Sequence, residues 1–247
     1  MADAVYGWSA PPRLLSRMRV DTVLLEFEGV IADTAHARMS ALRRSLADEG
    51  IDLTEAEYQR AASGFPPREG AIAAAALHKE ARLDDTALEL VALRAERYFA
   101  EDVGQGMELM PGAVELIQGM VGRSRLAIVT RASRREVDFV LGLAGLDQAF
   151  EVVVTREDVL APKPSPEGFE RALQRLAKLR RISRPTTSLA LEDSAAGVLA
   201  AKAVKIPVIA VGQVPEHYGT HADARIDTLE GQSLASLTAL VERAVGR

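Results

Sequence analysis

Five short apolar runs recur along the chain, each separated from the next by a stretch with helical periodicity. This alternation limits the fold more than any other feature. The runs are Val20–Phe27, Arg125–Thr130, Phe150–Thr155, Ser188–Glu192 and Pro207–Val211. They are apolar nearly from end to end, as strands are when a parallel sheet is covered on both faces. The intervening segments Ala113–Val121, Ser133–Leu143, Pro166–Leu179 and Ala195–Val204 read as helices. Ser133-Arg-Arg-Glu136 has the form of a capping box, and Ser165-Pro166 sets a cap residue before a first-turn proline. The expected class is α/β: a Rossmann-like parallel sheet core with helices on both faces.

The alternation fails in one place. Between residues 35 and 107 the pattern is helical throughout. Met39, Leu42 and Leu46 share a face that Gly50 ends, and Leu88, Val91, Ala92, Ala95, Tyr98 and Phe99 form a second stripe. Thr54–Glu57 and Thr86–Glu89 read as further capping boxes. An inserted α-helical cap domain is therefore expected over 35–107, within a core formed by 20–34 and 108–247. Leu109-Met110-Pro111-Gly112 is the return joint, and residues 1–19 are a lead-in.

Composition removes several classes of function. The formal charge is −5, which gives no nucleic-acid footprint, and no stretch has the length of a membrane span. With no cysteine, a disulfide framework, thiolate zinc sites and a cysteine nucleophile are excluded. The lead-in lacks the apolar core of a signal peptide, so the default expectation is cytoplasmic. Of the histidines His36, His78, His217 and His221, only the last two are close in sequence, too sparse a set for zinc.

Ligands of open parallel sheets bind beyond the carboxyl ends of the strands. There the first run ends in Glu26-Phe-Glu28, whose alternate residues project to one side if the strand continues. The second run ends in Thr130-Arg131, a hydroxyl beside backbone N–H groups suited to an anion. Ala161-Pro-Lys163-Pro-Ser-Pro166 fixes a lysine between prolines. The fourth run ends in Glu192-Asp193-Ser194 at a helix start, where acidic residues also serve as plain caps. Converging carboxylates repel unless a cation compensates them, and hard oxygen ligands suit Mg²⁺. A lysine and Mg²⁺ together would neutralise a phosphoryl group in transfer.

The order and spacing of Leu25-Glu-Phe-Glu-Gly-Val-Ile-Ala-Asp-Thr34, Ile128-Val-Thr130, Lys163-Pro-Ser-Pro166 and Leu191-Glu-Asp-Ser-Ala-Ala-Gly197 resemble the haloacid dehalogenase superfamily. The branch is the one with a helical cap, similar to beta-phosphoglucomutase and phosphoglycolate phosphatase. The resemblance implies Glu26 at the nucleophile position and Glu28 at the general acid/base position. It implies Thr130 and Lys163 around the phosphate, with Arg131 a neighbouring candidate substrate contact, and Glu26, Glu28 (by its backbone carbonyl), Glu192 and Asp193 around Mg²⁺. Asp33-Thr34 would be the hinge into the cap, and Ser63 to Glu69 resembles a specificity loop, with Arg68 as a substrate contact. Both positions where the family carries aspartate are glutamate here, which moves each carboxylate outward by roughly 1.5 Å, enough to alter catalysis. The implied activity is Mg²⁺-dependent phosphohydrolysis of a small phosphorylated metabolite. A catalytically impaired binder of a phosphometabolite or partner, and a phosphosugar mutase, are the alternatives. A metal-free dehalogenase fits the acidic pair less well. The basic run from Lys178 to Ile182 reads as a solvated edge.

Overall fold

The structure is a computed structural model that describes residues 19–63, 65–78, 82–106, 108–179, 187–212, 214 and 222–245. The lead-in before Arg19, Gly64, His217, His221 and the basic run beyond Leu179 lie outside the described residues.

Six strands form one sheet: β1 (Thr22–Leu25), β4 (Arg125–Val129), β5 (Val152–Val154), β6 (Ser188–Glu192), β7 (Val208–Val211) and β8 (Ala224–Ile226). Their order is β5-β4-β1-β6-β7-β8, and every neighbouring pair is parallel. From β1 the chain builds first toward β4 and β5, then returns to β6 on the other side. The crevice at such a reversal lies above the carboxyl ends of the central strands.

Burial explains the apolar runs. Val23 and Leu25 of β1 join one cluster, under α5 (Ala113–Met120), α6 (Arg134–Ala144) and α9 (Leu234–Val245). Leu24 joins the other, under α7 (Glu167–Lys178) and α8 (Ala195–Ala203). Successive strand residues face opposite layers and neither layer is water, so most positions are apolar. β8 and α9 were not foreseen. β8 is a three-residue edge strand with half-exposed side chains and has no apolar run to detect.

A small antiparallel pair, β2 (Ala32–Asp33) with β3 (Glu108–Leu109), forms the joint. Between them lie α1 (Ala35–Ala47), α2 (Glu55–Glu57) running into a wide turn at Tyr58–Ala62, α3 (Pro67–Ala75) and α4 (Asp85–Gln105). This helical insertion has its own apolar cluster, centred on Leu42, Leu46, Leu53 and Val91.

Local signals held unevenly. The boxes at Thr54–Glu57 and Ser133–Glu136 close in both directions. The one expected at Thr86 does not form, because Asp84 caps α4 through the Ala87 N–H and draws Thr86 into the first turn. Ser165 lies one residue further out than expected, with Pro166 at the cap position and the Ser165 hydroxyl accepting from Glu167 N.

One polar knot holds the loop that follows β5. Asp158 accepts from Arg175 of α7 at 2.5 Å and Arg134 of α6 at 3.3 Å, and from the Thr155 N–H and hydroxyl at 2.9 and 3.0 Å. Burial raises its pKa, but Arg175 and Thr155 outweigh burial and bring it to about 2. The folded value lies below the ordinary 3.8, so this stabilisation is full above that value and fades as pH falls toward 2. Asp158→Asn is expected to cost about 2 kcal/mol at pH 7 in urea unfolding, with the difference shrinking below pH ~4.

Candidate active site

The site begins where β1 stops. Glu26 N still donates to Leu191 O, but the chain then turns, with Ile31 N and Ala32 N both donating to Phe27 O. Gly29 sits at φ +75° in this turn. The alternation rule therefore lapses after Glu26, and the two glutamates border one crevice with different partners. Glu26 is buried, its Oε1 accepting from Phe27 N at 2.7 Å. Glu28 turns toward the hinge. Its carboxylate ion-pairs with Arg38 of α1 and accepts from the Thr34 hydroxyl at 3.3 Å.

From the segment between β5 and α7 comes Lys163, on a loop whose Leu160 and Ala161 N–H groups are fixed by Glu167. Its buried ammonium donates to Glu26 Oε2 at 2.5 Å, Glu192 Oε1 at 2.5 Å and Val129 O at 2.7 Å. The ends of β1, β4 and β6 are thus joined through one nitrogen. Thr130, at the end of β4, donates its N–H to Val154 O and accepts from Ala132 N at 3.1 Å through its hydroxyl.

Glu26, Glu192 and Asp193 each bring a carboxylate oxygen within 4.8 Å of the others. Burial of the charged form leads the effects on all three titrations that shift here. It drives Glu192 up to about 8, with Lys163 opposing and Glu26 adding to the rise. Asp193 rises to about 7 through burial and then Glu26. Lys163 rises as well, because Glu192 and Glu26 outweigh its desolvation. One ammonium thus faces three carboxylates, and the group takes up positive charge as protons or as a cation.

Two glycines make room for these carboxylates. A Cβ on Gly29 would lie 2.2 Å from Asp193 Oδ2, and one on Gly197 would lie 1.8 Å from Glu192 Oε2. Among the described residues, Glu192 Oε2 is a buried oxygen without a hydrogen-bond partner. An all-oxygen, hard donor set with surplus negative charge fits Mg²⁺. Glu26 and Asp193 line a narrow crevice of about 60 Å³ with Glu28, Arg38, Thr130 and Arg131. Glu192 stands behind them, fully buried.

A larger cavity of about 450 Å³ opens beside the crevice, between Pro66, Arg68 and Glu89 of the insertion and Thr130, Arg131 and Lys163 of the core. Arg68 is at this wall, but its guanidinium is engaged by Asp85 and Glu89, both at 2.8 Å. Arg131 is exposed and reaches both spaces. Of the expected residues, Glu26, Lys163, Glu192 and Asp193 lie together, and Thr130 borders the same crevice. Sequence reasoning missed Arg38, an arginine on an otherwise amphipathic helix with nothing in its surroundings to mark it.

Residues 23–211 match the family described as haloacid dehalogenase-like hydrolase. The chain belongs to that family. Among curated relatives of this haloacid dehalogenase-like hydrolase, a phosphorylated carbohydrates phosphatase of Thermotoga maritima is 30% identical over 76% of this chain and 82% of its own length. Protein CbbY of Rhodobacter capsulatus is 27% identical over 78% of this chain and 85% of its own length. Among solved structures, CbbY from Rhodobacter sphaeroides in complex with phosphate is 26% identical, with a TM-score of 0.74 over 88% of this chain and 99% of that one.

The tight spaces at the two glycines give a test. Gly197→Ala is expected to lower stability by about 2 kcal/mol, because overpacking outweighs the helix propensity gained. Gly119→Ala in α5, where a Cβ meets nothing within 4 Å, is expected to raise it by roughly 0.5 kcal/mol or more. Chemical denaturation of the two variants beside the parent measures both signs.

Proposed function

We propose that the chain is a Mg²⁺-dependent phosphohydrolase acting on a small phosphorylated metabolite. The observation that carries this reading is the triad of Glu26, Glu192 and Asp193 around one buried lysine at the carboxyl edge of the sheet. The phosphatase names of its relatives support it. Glu26, Asp193 and, from behind them, Glu192 would hold Mg²⁺. The ion would supply charge neutralisation at the phosphoryl oxygens.

In this reading the Glu26 carboxylate attacks phosphorus, a Glu26 O–P bond forms, and the bond to the substrate oxygen breaks. The departing alkoxide takes a proton from Glu28, which must first leave Arg38 and take up that proton from solvent. Water then attacks the acyl phosphate, giving inorganic phosphate and free Glu26 and passing a proton to Glu28. Lys163 offsets the charge on Glu26, and Thr130 and Arg131 stand where a phosphate would enter. Arg68 would meet the remainder of the substrate in the larger cavity after giving up a carboxylate partner.

A second reading has one observation in its favour. Glu28 borders the crevice with Glu26 and Asp193, but its carboxylate is held by Arg38, an arrangement that suits a phosphometabolite binder with little turnover. Release of phosphate from a panel of small phosphoesters separates the two readings. The parent is expected to act with Mg²⁺ and to stop when it is chelated. Glu26→Asp combined with Glu28→Asp is expected to raise turnover roughly tenfold or more, since a misplacement near 1 Å costs on the order of 10²-fold. Silence from parent and double variant alike would leave only the binding reading.

A further inference from the structure

Arg38 belongs to the inserted helix α1, yet its charge is spent on the core. Its guanidinium pairs with Glu28 and, through Nη1, with Glu136 Oε1 at 3.2 Å. Glu136 is itself immobilised, because its other oxygen accepts from Ser133 N at 2.7 Å and the Ser133 hydroxyl at 2.9 Å. The Phe99 ring of α4 lies 5.6 Å from the guanidinium carbon. The arginine side chain is 17% exposed and that of Glu136 8%, so neither partner is free to drift into solvent. Arg38, Glu28, Glu26 and Asp193 all border the same narrow crevice. A glutamate at position 28 has the reach to turn either way, toward Arg38 or into the crevice.

We infer that Arg38 is a positioning residue that holds the Glu28 carboxylate on the hinge side of the crevice and so keeps the cation site at three carboxylates. The inference rests on the reading of Glu26, Glu192 and Asp193 as a divalent-cation site. The rigid capping box of α6 anchors Glu136, Glu136 fixes the guanidinium, and the guanidinium draws Glu28 aside. Without Arg38, only the long 3.3 Å hydrogen bond from the Thr34 hydroxyl competes for Glu28, and its carboxylate enters as a fourth. Affinity for a hard cation rises with the number of charged ligands.

The test is a double-mutant cycle read by calorimetric Mg²⁺ titration of the full chain without substrate. In the parent, Glu28→Gln is expected to change the Mg²⁺ dissociation constant less than about twofold, because Glu28 is held away from the ion. In the Arg38→Met background the same Glu28→Gln change is expected to weaken binding about tenfold, since it removes the newly arrived carboxylate. Loss of a cation from the crevice strengthens Mg²⁺ binding by itself, but that gain does not depend on residue 28 and cancels in the cycle. Arg38→Met leaves Glu136 without its partner. If that variant does not fold, Arg38→Lys carries the cycle, because an ammonium lacks the fork that grips two carboxylates at once. The Glu28→Gln effect expected there is about threefold or more. Equal effects of Glu28→Gln with and without Arg38 overturn the inference. A parent that binds no Mg²⁺ removes the functional reading and this inference together, whereas a parent that binds it without coupling removes the inference alone.

Discussion

Crowded negative charge at one edge of a parallel sheet is the constraint on which the rest of this structure depends. Parallel topology brings all carboxyl ends of the strands to the same side, so Glu26 and Glu192, 166 positions apart in the chain, end up beside one another. Burying like charges together is expensive unless a counter-charge is buried with them. Lys163 supplies that counter-charge from the loop after β5, and the knot around Asp158 helps to hold this loop against α6 and α7. Fold and site are therefore not separable here. The lysine that makes the site chemically useful is also the group that makes burial of its carboxylates tolerable.

Much of this was readable before any coordinates. The run Ser188–Glu192 is a strand to the residue, and the other four runs contain strands one to four residues shorter than expected. Strands buried on both faces leave a strong apolar signature, and capping residues mark helix starts chemically. The failures have equally local causes. Thr86 lost its capping role to Asp84, two residues earlier. β8 left no signal because an edge strand need not be apolar.

Glu28 is the instructive case. Two-residue alternation aimed it with Glu26 at one point, and both do border one crevice, but that rule holds only while backbone stays extended. The tight turn through Phe27 and Gly29 breaks it one residue too early. What captures Glu28 afterwards is a guanidinium from a helix ten residues on, itself fixed by a carboxylate almost a hundred residues further along. Sequence patterns report neighbours within an element. They carry no information about which distant charge competes for a side chain once the element ends. Insertion and core meet through comparable pairs elsewhere, with Glu96 reaching Arg135 and Arg156 at 3.4 and 3.5 Å. Pairs of this kind contribute little to stability individually. They add charge at the cavity beside the apolar contacts that Ala41, Phe99 and Val103 make with the core.

Lys163 has a further consequence, which follows from counting its protons. An ammonium carries three N–H bonds, and here all three are committed, to Glu26, Glu192 and the Val129 carbonyl. No donor is left over for an arriving oxyanion. Lys163 can therefore act on such a guest at first only as a nearby charge. A direct bond requires one of its three present acceptors to let go.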